Sequence, residues 1–148
     1  MPPFNSGFFI DESLWPLLVI RAPRAVNSRQ QQEGLATLAT YLRRGQRHLS
    51  IVDLRQLAEA PLDQRHHQVE WFRQHEPLLR ESLIGMALVI NSPVIRLSMS
   101  VILHFKPLPV PHHIGPRMEA AASWAAEHLQ KAGDALTAAR VRQHFSVP

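Results

Sequence analysis

Two apolar patterns alternate along the chain. LLVI at 17–20, the Leu49, Ile51, Val52 run and LIGMALVI at 83–90 are nearly continuous apolar stretches. Runs of this kind and length suit strands covered on both faces. Between them lie longer segments with helical spacing. In NSRQQQEGLATLATYLRRG, Leu35, Leu38, Ala39 and Leu42 share one face, Ser28 and Gln31 have capping-box spacing, and Gly45 supplies the stop. PLDQRHHQVEWFRQH predicts a second helix, with Pro61 and Asp63 in its first turn and a break near His75 imposed by Pro77. LLRES would then be a turn. Ser92-Pro93 opens a third helix over VIRLSMSVILHF, and MEAAASWAAEHLQKAG predicts a fourth, closed by Gly133.

The ends of the pattern are less regular. Phe8-Phe9-Ile10 and Leu14 to Ala22 read as two leading strands around an Asp11-Glu12-Ser13 turn. Proline-rich KPLPVPHHIGP leaves room for a short edge strand around Val110. DALTAARVRQHFSVP predicts a weak amphipathic helix or a loose extension. The whole order predicts an α/β sandwich: a mostly parallel sheet of four or five strands, its two leading strands antiparallel, with helices packed on it. One domain is expected over 8–132, with 133–148 as a C-terminal helical extension or tail.

Composition changes this picture little. The chain has 148 residues, 45% of them hydrophobic and 19% charged, and no cysteine. That suits one globule and excludes disulfides, thiol catalysis and cysteine-held zinc. The opening stretch MPPFNSGFFIDES has neither a basic start nor a long apolar core, so a signal peptide is not expected. No apolar run reaches the roughly 20 residues of a membrane span, and the expected location is cytoplasmic. The formal charge of +4 comes mostly from arginines scattered along the chain. Nucleic-acid readers concentrate such charge on one face beside a recognisable motif, which argues against a nucleic-acid partner.

Asp53 closes its strand where open α/β sheets place ligands. No glycine occurs between 53 and 61 to cradle a phosphate, so the carboxylate is expected to hold the loop together with Arg55. The adjacent pairs His66-His67 and His112-His113 cannot each chelate one ion from one helix face, since neighbours diverge by about 100°. No HExxH spacing and no GxSxG elbow occurs. Catalytic residues, metal ligands and cofactors are therefore not expected.

The third helix is apolar nearly all round. Val94, Leu97, Ser98, Val101, Ile102 and Phe105 are expected to face the sheet, which leaves Ile95, Met99 and Leu103 as an outward contact row. Burying three such side chains could contribute on the order of 5 kcal/mol before association costs. Trp71, offset by about 100° from core-facing Phe72, is expected beside Arg55 as a second contact.

This layout resembles the SpoIIAA-like fold shared by STAS domains and the lipid-binding relatives of Sec14. The carriers are WPLLVIRA, the helix to LRRG, HLSIVDLR, PLDQRHHQVEWF, GMALVINSPVIRLSMSVI and EAAASWAAEHL. The resemblance implies a regulatory or scaffolding module working through a protein partner or self-association. The alternative it implies is a carrier or sensor of an apolar small molecule or lipid. In antagonists of that family a phosphorylated serine follows the strand aspartate as D-x-S. Here Asp53-Leu54-Arg55 puts arginine at the acceptor position, so the phospho-switch is not expected.

Overall fold

The computed structural model describes residues 7–148; residues 1–6, which open the stretch read as lacking a signal peptide, lie outside the described residues. Five strands form one sheet in the order β1-β2-β3-β4-β5: β1 Phe9–Leu14, β2 Leu17–Arg21, β3 His48–Asp53, β4 Leu83–Val89 and β5 His112–Gly115. β1 runs antiparallel to β2, and every later pair is parallel. The α/β class and the antiparallel leading pair agree with the sequence pattern.

Alternation along the strands sorts the core into two. Leu17, Val19, Leu49, Ile51, Ala87 and Val89 point to one face, where α4 (Met118–Lys131) and α5 (Ala135–Phe145) cover them. Leu18, Ile20, Ser50, Val52, Met86 and Leu88 point to the other, under α1 (Ser28–Leu42), α2 (Leu62–Ser82) and α3 (Pro93–Phe105). Burial on both faces is why the central strands read as unbroken apolar runs.

Several boundaries differ from the sequence reading. The first hairpin turns at Trp15-Pro16 and leaves Asp11 to Ser13 inside β1, where Asp11 Oδ1 accepts from the Ser13 amide at 2.8 Å. The capping box of α1 is Asn27 with Gln30, one residue earlier than Ser28 with Gln31. α2 runs through Pro77 to Ser82. An interior proline costs about 3 kcal/mol, but Phe72 and Leu79 are buried on either side of it. Ser82 Oγ also donates to the Leu42 carbonyl at 2.8 Å. Each such side chain contributes roughly 1.5–3 kcal/mol, so packing outweighs the break. The edge strand β5 lies just past Val110, and the C-terminal segment folds as α5, burying Ala138 and Val141 against α4.

Candidate functional site

Asp53 sits at the carboxyl end of β3, opposite Arg21 in the parallel register with β2. It is 2% exposed. Its Oδ1 accepts from the Arg55 amide at 3.1 Å and from Arg55 Nε at 2.9 Å. Its Oδ2 accepts from Arg55 Nη2 at 2.8 Å and from Arg21 Nε at 3.3 Å. Burial pushes the carboxyl pKa up, but the Arg55 hydrogen bonds and charge outweigh it and leave the group below its ordinary value. With both oxygens occupied, Asp53 works as a clamp between two strands and the following loop, and Arg55 spends its guanidinium on that clamp.

The outward row assigned to α3 is corrected. Ile95 is 0% exposed and belongs to the core with Ser98 and Ile102, while Met99 and Leu103 are half-buried. The exposed apolar row is Val94, Leu97, Val101 and Phe105, with Leu97 at 67% and Phe105 at 70%. Both rows have helical spacing, so periodicity could not choose between them. The choice follows from how α3 leaves β4: Ser92 caps Ile95 N at 3.5 Å, and this entry turns Ile95 inward. α5 lies on the opposite face of the sheet, so the C-terminal segment does not cover that row.

Behind α3 lies a cavity of about 160 Å³ between the sheet and α1, α2 and α3. Its floor is Leu18, Ile20, Ser50, Val52, Met86 and Leu88, and its roof includes Leu35, Leu38, Phe72 and Ile102. Two of the residues chosen from sequence, Trp71 and Met99, stand in its wall. Trp71 is half-buried there, stacked on His75 at 4.4 Å between ring centroids. Arg55 and Leu103 are not among the lining residues, so the five contact residues proposed from sequence do not converge.

Sequence reasoning missed the polar groups of this cavity. Gln31 falls on the Leu35, Leu38, Leu42 stripe of α1, and a glutamine on an apolar stripe was the available signal. Its assignment to the cap hid it. Arg65 lines the same cavity from the first turns of α2, and His48 and Ser50 line it from β3. His48 stacks on Trp15 at 5.0 Å, its Nδ1 lies 3.2 Å from the Gln46 carbonyl, and burial holds its pKa below the ordinary value. Nearby, burial and the hydrogen bond to Glu12 push the Tyr41 pKa up to about 12.

No three His, Cys, Asp or Glu side chains converge among the described residues. His66 and His67 are both exposed. His113 packs beside Trp124, 6.0 Å between centroids, and burial lowers its pKa. Among the described residues no helix is long and apolar enough to cross a membrane. Protein-family models, curated proteins and solved structures give no match to this chain.

Proposed function

We propose that this chain is a non-catalytic cytoplasmic binding module of the SpoIIAA-like kind its layout resembles, and that its ligand is an apolar small molecule held between the sheet and α1–α3. The observation that carries the reading is the cavity itself. At about 160 Å³ it matches in size the roughly 150 Å³ apolar cavity known to admit benzene. Well-packed interiors hold few voids larger than water. The absence of an enzymatic role is supported by the state of Asp53, whose lone pairs are already taken by two arginines. A general base needs a free lone pair within reach of its substrate.

The test is an NMR titration with toluene. Toluene should shift methyl signals of Leu18, Leu35 and Met99 in the wild type. Ser50→Leu, which fills the floor, should keep the fold and abolish the shifts. If that variant fails to fold, Ala60→Leu at the rim serves the same purpose. No toluene response in the folded wild type would remove the reading.

A second reading keeps the protein partner or self-association. It is favoured by the four exposed apolar side chains on α3, since patches of this kind mark interaction sites. Leu97→Glu against wild type in light scattering tests self-association. A wild type of monomer mass at high concentration would refute the second-copy form.

A further inference from the structure

We propose that the cavity selects a neutral single-ring phenol, its ring between the sheet and the helices and its hydroxyl on Ser50 Oγ. The inference rests on the cavity being a binding site for an apolar small molecule, and it names the chemistry of the occupant.

The floor carries one open polar group. Ser50 stands on the central strand, between Leu18 and Met86 in the parallel register. It is 4% exposed and lines the cavity. Its hydroxyl meets no partner among the described residues, yet it is not one of the polar atoms sealed off by packing. With a strand on either side of β3, the surface that this hydroxyl keeps belongs to the cavity. Gln31 Oε1 and Arg65 Nε also lack partners, but packing closes both in and no ligand can reach them.

The rest of the lining sets the class of ligand. The floor side chains Leu18, Ile20, Val52, Met86 and Leu88 carry no charge, so an ionised ligand lying on them would bury its charge unpaired. His48, two residues before Ser50 on the same face of β3, has its Nδ1 3.2 Å from the Gln46 carbonyl, and burial favours its neutral ring. Phe72 above and the thioethers of Met86 and Met99 favour the edges and faces of an aromatic ring. A volume of about 160 Å³ holds one six-membered ring with a small substituent. A hydrocarbon of that size would leave Ser50 Oγ unmet. A phenol fills the same space and exchanges a hydrogen bond with it, hydroxyl to hydroxyl.

The experiment is calorimetric titration of the full chain with toluene, phenol and cyclohexanol. In the wild type phenol should bind within about threefold of toluene, whereas a wholly apolar cavity would hold it about tenfold or more weakly because its hydroxyl goes unmet. Ser50→Ala should lower the ratio of phenol to toluene affinity about tenfold. Cyclohexanol, similar in size and hydroxylated but not aromatic, should bind at least about threefold more weakly than phenol. Intermolecular NOEs in the wild type should join the ortho protons of phenol to the Ser50 Hβ protons, a measurement that stands even if Ser50→Ala fails to fold. Phenol already about tenfold weaker than toluene in the wild type, a ratio unchanged in Ser50→Ala, NOEs to Ser50 from the para proton alone, or cyclohexanol as tight as phenol would each overturn the proposal while the apolar-ligand reading stands. If toluene itself does not bind the wild type, the cavity reading fails and takes this one with it.

Discussion

The two faces of the sheet are packed by opposite means. On one face α4 presents Ala121, Ala122, Ala125 and Ala126, all fully buried, and Leu129 beside them. Such small side chains let a helix lie close to the strands. Gly85 continues the theme, because a Cβ there would meet Trp124 at 2.8 Å and the Pro111 carbonyl at 3.0 Å. On the other face three helices meet the sheet through larger and less regular side chains, and between them remains the cavity. One face is closed by close approach. The other spans its gap with leucines and a methionine, and so keeps a space between the sheet and its helices. Apolar content does not distinguish them; the size and shape of the facing side chains do.

The largest expected effect tests the closed face. Leu129→Ala should cost about 2–5 kcal/mol in denaturant unfolding, because alanines around it cannot move in to fill the hole. Leu38→Ala, on the wall of an existing space, should cost roughly 1 kcal/mol. Equal losses would break the contrast. Next comes the reverse substitution. Ala122→Leu should destabilise by about 1–3 kcal/mol through overpacking. Ser50→Leu should change thermal stability by less than about 1 kcal/mol, since it grows into space.

The smallest effect separates the strand-end clamp from both faces. The Asp53 carboxyl titrates below its ordinary value of 3.8 in the folded chain. A lowered carboxylate pKa means its contribution is whole above that value and is lost as pH falls through the folded pKa. Asp53→Asn should cost about 1–2 kcal/mol at neutral pH, with Arg21 and Arg55 left to water. The wild type should approach the variant's stability as pH falls below 3.8, measured by chemical unfolding. A constant gap between the two down to pH 2 would remove the clamp as its cause.

Much of the fold was legible in the chain. Doubly covered strands must be apolar at successive positions, so LLVI and LIGMALVI announced the sheet without any contact being known. The pairing of Asp53 with Arg55 was legible too, because no glycine loop accompanied the aspartate and an arginine stood two residues on. The course of α2 was not, because the local cost of Pro77 is offset by Phe72 and Leu79 packing at a distance. Nor was the inward face of α3. Ile95, Met99 and Leu103 compete with Val94, Leu97, Val101 and Phe105 at nearly equal hydrophobicity, and only the chain's entry from β4 decides between them. The cavity belongs wholly to the tertiary structure. Its lining joins Gln31 of α1 to Arg65 of α2, thirty-four positions apart, and a space left between packed elements cannot be read from a sequence. By itself the sequence determined which residues leave water; how well they then fill space was decided when three helices of unequal side chains met one sheet.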